Sequence, residues 1–328
     1  MNDQPHLRVA VILPCFNEEA SIAETVAGFR AALPEAEIWV FDNNSTDRTI
    51  ERSVAAGAMI GHEVRAGKGN VIRRMFADVE ADVYVMADGD ATYDPASAPG
   101  MIEALISGNL DMVNGARVTD QSAAYRSGHR FGNLVLTSLV QRLFSRRFSD
   151  MLSGYRVLSR RFVKSFPAVS RGFEIETELT VHALQLRMPV KEIETPYRAR
   201  PEGSTSKLST WADGFRILKM IAFLVKEEKP LPFFMSIAVG VAIPSLVQFI
   251  SVFREFLITS EVARFPTLFV ALSGFVIAAM ATVSALILDT VSRGRREARH
   301  LAYLQLPGPR STQKAIVSGS KETGHSRN

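Results

Sequence analysis

The chain has little cysteine, and its opening residues do not predict an export leader. Cys15 is the single cysteine in 328 residues, which excludes an internal disulfide and fits a reducing compartment. One cysteine is also too few for a thiolate metal site. The opening residues MNDQPHLRV lack a charged segment followed by an apolar one, so no cleaved signal peptide is expected.

Composition predicts a globular domain joined to a more apolar part. The chain is 47% hydrophobic and 22% charged, with a formal net charge of +4 and a mean hydropathy of +0.07. The segment SRGRREARH (292–300) carries four arginines, which indicates a surface for anionic lipid or nucleic acid. Because basic clusters beside apolar spans are explained by anionic lipid, we expect a membrane and no nucleic acid as partner.

Strand-length apolar runs alternate with helix-length stretches through the first 115 residues. The predicted strands are 8–14, 37–43, 58–62, 82–88 and 110–116. Repeated β-α units predict an α/β fold with a mainly parallel, helix-covered sheet. Ligands bind such sheets at the carboxyl ends of the strands.

The next hundred residues are less regular and more polar. We predict helices near 126–145 and 174–187, then a strand at 189–198. The segment SDMLSGYRVLSR (149–160) lies between the two helices. A loop rich in small and polar residues follows at 199–209.

Two long segments without charge follow, at 231–253 and 265–288. Each is long enough to cross a hydrocarbon core of about 30 Å at about 1.5 Å rise per residue. Buried core helices are the alternative, but these seldom run beyond about 20 residues without a polar face. We therefore expect two membrane spans.

The charges beside these spans predict their orientation. The loop 254–264 has two basic and two acidic residues, whereas Lys226, Lys229 and the arginine cluster lie on the outer flanks. The positive-inside bias predicts that both termini and the α/β domain are cytoplasmic, in an integral protein of the bacterial inner membrane. Residues 209–230 are expected to form an amphipathic juxtamembrane helix on the membrane surface, with packing against the domain as the alternative. The basic tail, 290–328, is expected to be disordered.

Two aspartates follow the fourth predicted strand, in ADGDATYDP (87–95). Asp88 and Asp90 flank a glycine that permits a tight turn. Carboxylates this close repel unless a cation lies between them. Mg²⁺ or Mn²⁺ carrying phosphate oxygens fits them, and a solvated acidic turn is the alternative.

Other strand ends also carry polar groups. Glu18 follows the first strand in PCFNEEAS, where capping of the next helix is the alternative explanation. Lys68 lies between two glycines at a helix start, a favourable anion cradle, although the G-x-x-x-x-G-K-[ST] spacing of a P-loop is missing.

Together these segments resemble the family 2 glycosyltransferases of the GT-A fold. The matching residues are LPCFNE, DNNSTD, AGKGNVIR and DGD, in that order. The segment SDMLSGYRVLSR looks like the family's D-x-x-S-G-[YF]-[RK] motif. RPEGSTSKLSTWADGFRIL, leading into two spans, is similar to polyprenyl-phosphate sugar transferases of the dolichol-phosphate mannose synthase and bactoprenol glucosyltransferase type.

The resemblance implies a metal-dependent, inverting transfer from a nucleotide sugar to a polyprenyl phosphate by a membrane protein that forms homo-oligomers. Small residues in the spans, such as Gly240, Gly274, Ala278 and Ala281, permit close helix packing. The implied roles are as follows: Pro14, Phe16 and Glu18 line the nucleotide pocket, Asp42 accepts from the base, Lys68 lies near the nucleotide, Asp88 and Asp90 hold the metal, Asp150 lies at the sugar and acceptor end, and Arg200, Ser206 and Lys207 meet phosphate groups.

The chain departs from the commonest family pattern at one residue. Asn43 stands where the family often has a second aspartate, which weakens any prediction of the base preference. For a phosphate acceptor, Asp150 need only position groups, because that oxygen is already ionised. For a sugar hydroxyl, Asp150 would be the candidate base.

Three other functions compete with this one. A processive polysaccharide synthase is disfavoured because the Q-x-x-R-W segment is missing. A non-processive transferase acting on another lipid or glycan hydroxyl is the main alternative. A non-catalytic membrane-anchored scaffold is disfavoured because Asp88 and Asp90 are both present.

Overall fold

The computed structural model describes residues 7–118, 148–168, 170, 172, 174–198, 226–227 and 229–310. Several predictions fall outside these ranges. They are the helix near 126–145, the loop from 199 to 209, nearly all of the amphipathic helix at 209–230, and the tail beyond residue 310.

One mixed sheet forms the centre of the described part of the domain. Its strands are β1 (Val9–Cys15), β2 (Glu37–Asp42), β3 (Met59–His62), β4 (Val83–Met86), β5 (Met112–Val118), β6 (Arg156–Ser159) and β7 (Val190–Pro196). Their order is β3-β2-β1-β4-β6-β5-β7. β6 is antiparallel to both neighbours, and every other strand pairing is parallel. The predicted α/β class with a mainly parallel sheet is confirmed.

Helices cover the sheet and extend the chain beyond it. They are α1 (Ile22–Ala32), α2 (Thr49–Ala55), α3 (Lys68–Asp78), α4 (Ala98–Ser107), α5 (Arg160–Ser165), α6 (Ile175–Gln185), α7 (Pro230–Thr259) and α8 (Phe265–Leu304). A short 3₁₀ turn at Pro95–Ser97 precedes α4.

The apolar runs become strands because both faces of the sheet are buried. Ile12 and Tyr84 belong to one apolar core, and Val11 and Val85 belong to a second core. Strands buried on both faces are nearly continuously apolar, which is the pattern that predicts them. Polar side chains are therefore concentrated where β1, β2 and β4 end.

The five strands predicted before residue 118 are all present, with ends within two residues of the prediction. The antiparallel strand β6 is not predicted. It has only four residues and begins with Arg156, so alternation is too short to indicate a strand. Its place between β4 and β5 is a tertiary pairing.

The chain divides into two compact units, residues 1–214 with 299–328 and residues 215–298. The second unit contains α7, which has 30 residues, and most of α8, which has 40 residues. Both are long and apolar enough to cross a membrane, and most of their apolar side chains are not buried.

The two long helices pack together through small residues. Buried positions recur every seven residues along both helices: Ala238, Ser245 and Val252 on α7, and Ala271, Ala278 and Ala285 on α8. A Cβ at Gly274 would overlap the Oγ of Ser245. Gly274 and Ala278 are thus buried between helices of one chain, whereas Gly240 is exposed.

The expectation of disorder from residue 290 is wrong for residues 290–304, because α8 continues through Leu304. Residues from 299 onward belong to the first unit. There the Tyr303 hydroxyl donates to Asp111 Oδ2 at 2.9 Å, and the Arg161 guanidinium lies 4.7 Å from the Tyr303 ring centroid. Arg299 donates to Gln185 Oε1 and lies one helical turn from Tyr303. The same face of α8 therefore makes both contacts, although its sequence is rich in arginine.

Candidate active site

The carboxyl ends of β1, β2 and β4 lie at the same edge of the sheet. Cys15 pairs with Asp42, and Ile12 pairs with Met86, two residues before Asp88. Parallel register thus gathers Glu18, Asp42, Asp88 and Asp90, which we call the acidic rim. Burial raises the pKa of the Cys15 thiol well above its ordinary value, and all four of these carboxylates raise it further. The negative electrostatic potentials of the four carboxylates therefore overlap at the Cys15 thiol.

Gly89 lets the aspartates fit against the first helix. A Cβ there would overlap Cys15 Sγ and lie 3.2 Å from Ile22 Cδ1. The Gly89 carbonyl accepts from Ser21 Oγ at 2.9 Å and from Thr25 Oγ1 at 3.3 Å. A side chain at this position would displace Cys15, which explains the glycine between Asp88 and Asp90.

Lys68, the first residue of α3, binds two carboxylates. It forms one ion pair with Asp88 and another with Glu176 Oε1, the latter at 2.6 Å. Burial lowers the pKa of the Lys68 ammonium, but Asp88 and Glu176 more than offset this and raise it above its ordinary value. Lys68 is therefore a permanent cation beside the acidic rim.

The carboxylates of the rim fit a divalent ion that takes further ligands from elsewhere. Asp90 is 2% exposed, and its Oδ1 accepts from Thr92 Oγ1 at 2.6 Å. Within the described ranges no group of three or more His, Cys, Asp or Glu side chains is arranged as a metal site. Two hard carboxylates leave coordination positions for phosphate oxygens, as Mg²⁺ and Mn²⁺ prefer. Asp88 and Asp90 are the residues that would hold the ion.

Asp42 and its neighbour Asn43 have separate tasks. Both oxygens of Asp42 accept from the Ser45 amide, at 3.3 and 3.2 Å. The Asn43 amide donates to the carbonyls of Glu63 and Arg65, and its oxygen accepts from Gly67. An aspartate cannot donate these bonds. Asn43 therefore shapes the loop that leads to Lys68, a role not anticipated from the sequence.

The loops after β1 and β2 are bonded to each other. The backbone N–H of Asn17 donates to Ser45 Oγ, and Asn17 Oδ1 accepts from the backbone N–H of Thr46 at 2.8 Å. The Glu18 amide donates to Thr49 Oγ1 at 2.8 Å. Along this edge Phe16 is exposed and Glu18 is partly buried, while Pro14 lies within β1. The predicted nucleotide residues thus share one edge of the sheet.

Asp150 is held by a second group of residues, which we call the Asp150 network: Asn114, Arg117, Asp150 and Glu192. Its oxygens accept from Arg117 Nε at 2.6 Å and Arg117 Nη2 at 2.8 Å. The Asn114 amide donates to the Asp150 carbonyl, and Glu192 accepts from the Asp150 amide. Both oxygens of Asp150 already bind a cation, which favours a positioning role over a base.

The S-G-Y-R segment after Asp150 supports the site. The Arg156 side chain is fully buried and donates to the carbonyls of Met151, Ser153 and Glu176. Burial lowers its pKa to about 10. A Cβ at Gly154 would lie 2.8 Å from Asp88 Oδ2, so this glycine leaves room for the rim.

Arg200, Ser206 and Lys207, the predicted phosphate-binding residues, lie outside the described residues. Three residues were missed from the sequence: Arg117, Glu176 and Glu192. Glu176 occurs among first-turn acids of α6, which look like ordinary partners of the helix dipole. Arg117 lies near the end of β5, and the sequence around it shows only the pattern of a strand. No local signal separates either residue from a surface charge.

Residues 10–166 match the family model described as Glycosyl transferase family 2. Glycosyltransferase AglJ of Haloferax volcanii is 32% identical over 231 residues, covering 70% of this chain and 76% of AglJ. This chain belongs to glycosyltransferase family 2. An uncharacterised Shigella flexneri protein is 53% identical over 154 residues, which is 47% of this chain and 94% of that protein. The dolichyl-phosphate hexose transferase of H. volcanii is 27% identical, covering 67% of this chain and 95% of that enzyme.

A solved structure shows the same fold. Glucosyl-3-phosphoglycerate synthase of Mycobacterium tuberculosis, in complex with Mn²⁺, UDP and glucosyl-3-phosphoglycerate, superposes with a TM-score of 0.56 at 23% identity. The match covers 68% of this chain and 80% of the synthase. The family 2 glycosyltransferase described here therefore has a GT-A domain.

Proposed function

We propose that this transferase moves a hexose from a nucleotide sugar to a polyprenyl phosphate at the cytoplasmic face of a membrane. The observation that carries the proposal is the pair of long apolar helices in the same chain as the acidic rim. A membrane-anchored transferase suits an acceptor whose tail lies in the bilayer. The name of the related dolichyl-phosphate hexose transferase supports the same acceptor class.

The acidic rim suits the donor. Mg²⁺ or Mn²⁺ held by Asp88 and Asp90 would neutralise the diphosphate as it leaves. Lys68 offers a second positive charge at the same edge, and a preplaced charge stabilises the developing negative charge of the leaving group. Asp42, Pro14, Phe16 and Glu18 line the nucleotide pocket.

The Asp150 network suits the acceptor. A phosphate monoester carries a charged oxygen near neutral pH and needs no strong base. Asp150 would then orient Arg117, whose guanidinium also lies 5.4 Å from the Tyr197 ring centroid. Arg200, Ser206 and Lys207 are proposed to bind phosphate as well. The transfer is proposed to invert the anomeric centre.

The apolar helices are proposed as two spans with both termini and the transferase domain in the cytoplasm of a bacterial inner membrane. The basic residues on the outer flanks support this orientation. Reporters fused within 254–264 should give an external signal, and a cytoplasmic signal there contradicts it. Homo-oligomers remain a prediction, with the exposed Gly240 available for helix contacts.

The test is to incubate the purified full chain in detergent with undecaprenyl phosphate and a panel of UDP- and GDP-sugars, then weigh the lipid. We expect the lipid mass to rise by one hexose with one donor and Mn²⁺ or Mg²⁺ present. Hexose found only on a hydroxyl acceptor would favour the alternative transferase. Absence of turnover with every donor and acceptor contradicts the proposal.

A further inference from the structure

Lys68 is shared between the rim and a carboxylate on another helix. Glu176 lies in the first turn of α6 and contacts Lys68 Nζ through Oε1. Asp88 contacts the same ammonium from the end of β4. Lys68 and Glu176 are both largely buried, so neither charge is hydrated in the ordinary way.

Glu176 differs from Glu178, the other acid in the first turn of α6. It is 5% exposed, whereas Glu178 is only partly buried and accepts from the Ser170 amide. Among the described residues, Glu176 Oε2 has no hydrogen-bond partner. A buried carboxylate is costly unless it is paired, and a helix-dipole role does not require burial. Its position is explained by Lys68.

Glu176 is also held rigidly. The buried Arg156 donates to the Glu176 carbonyl at 2.8 Å and to the Thr180 hydroxyl at 2.9 Å on the same helix. The same guanidinium binds the Met151 carbonyl at 2.9 Å. The start of α6 is therefore fixed relative to the segment that carries Asp150.

Asp88 and Glu176 would differ in how long they stay bonded to Lys68 during the reaction. Asp88 is a candidate metal ligand, and a divalent cation competes with an ammonium for the same carboxylate. With Asp88 as its only partner, Lys68 would either block the metal site or be displaced from it. Glu176 contacts Lys68 independently of Asp88.

We propose that Glu176 is a positioning residue that keeps Lys68 at the diphosphate while Asp88 binds the metal ion. Lys68 gives up Asp88, stays bonded to Glu176 and directs the N–H group released from Asp88 to the leaving diphosphate. The inference rests on the proposed use of a nucleotide sugar with a divalent ion. It adds a residue from α6 to a donor site otherwise built from strand ends and the start of α3.

The test is a double-mutant cycle on the full chain in detergent, with Glu176→Gln, Lys68→Met and the double variant. The affinity for UDP, and in parallel for GDP, is measured by isothermal titration calorimetry in the presence of Mn²⁺. For whichever nucleotide binds the wild type, Glu176→Gln should weaken binding about tenfold, because Glu176 acts on the nucleotide only through Lys68. In the Lys68→Met background the same change should cost less than about twofold.

The kinetic signature separates positioning from damage to the fold. Lys68 faces a group that gains charge in the transition state, so kcat should fall more than KM rises. Glu178→Gln, the matched control from the same turn, should leave binding and kcat near wild type. If Glu176→Gln does not fold, Glu176→Asp withdraws the charge by one methylene and should show the same change, smaller in size.

Each outcome decides the matter. Equal losses from Glu176→Gln with and without Lys68, or binding and kcat like wild type, overturn the inference alone. A wild-type chain that binds neither nucleotide with Mn²⁺ overturns the proposed donor chemistry, and the inference falls with it.

Discussion

The acidic rim and the Asp150 network handle charge in opposite ways. The rim gathers four carboxylates near Cys15, with Lys68 as the cation bonded to one of them. In the Asp150 network, the carboxylate is matched by the guanidinium of Arg117 and by backbone bonds through Asn114 and Glu192. Excess negative charge suits a site that recruits a cation, whereas a carboxylate paired with a guanidinium suits a site that holds a geometry.

The largest effect is expected where the rim loses a proposed metal ligand. Asp90→Asn should lower transfer by at least about a hundredfold, because electrostatic stabilisation of the leaving group is lost. Initial rates across a Mn²⁺ titration measure this. Asp94→Asn is the control, since Asp94 lies on the same loop and contacts Ser97 and Arg198. Full activity of the EDTA-treated wild type would show that the rim does not work through a metal.

Breaking the Asp150 network should affect stability as well as rate. Asp150→Asn leaves the Arg117 guanidinium, which is 17% exposed, without its charged partner. We expect a loss on the order of 3 kcal/mol in the free energy of unfolding, measured by urea denaturation. Arg117→Met with Asp150→Leu should recover much of that stability but not the transfer activity. An Asp150→Asn variant as stable as wild type would contradict the assigned pairing.

The smallest effect is expected at Asn43, which follows Asp42 of the acidic rim and shapes the loop that leads to Lys68. Asn43→Asp removes the two hydrogen bonds that the side-chain amide donates. It also places a carboxylate against the two carbonyl oxygens that accepted them, and these oxygens repel it. The expected cost is about 2 kcal/mol in unfolding free energy, seen as a lower thermal midpoint. The ratio of kcat/KM for UDP-sugars to that for GDP-sugars should not change, because the Asn43 side chain is bonded to backbone groups of the loop. A reversed donor preference would instead place Asn43 in the base pocket.

Much of the site was predictable because its signals are local. Asp42 ends the buried strand β2, Asp88 lies two residues beyond the buried strand β4, and Gly89 lies in a turn where a Cβ would overlap Cys15 Sγ. The ordered motifs then led to the family. The short strand β6 and the docked end of α8 were not predictable, since four residues show no period and arginines hide the Tyr303 contact.

Sequence alone determined the alternating α/β pattern, the edge that carries Asp42, Asp88 and Asp90, and the two long apolar helices, because apolar periodicity and strand-end polarity are properties of neighbouring residues. Only the tertiary structure decided that Glu176 meets Lys68 and that Arg117 meets Asp150. Those pairs join separate elements, and a charge on a helix face or strand end has the same local pattern whether it is buried against a partner or hydrated. Burial and register make that distinction.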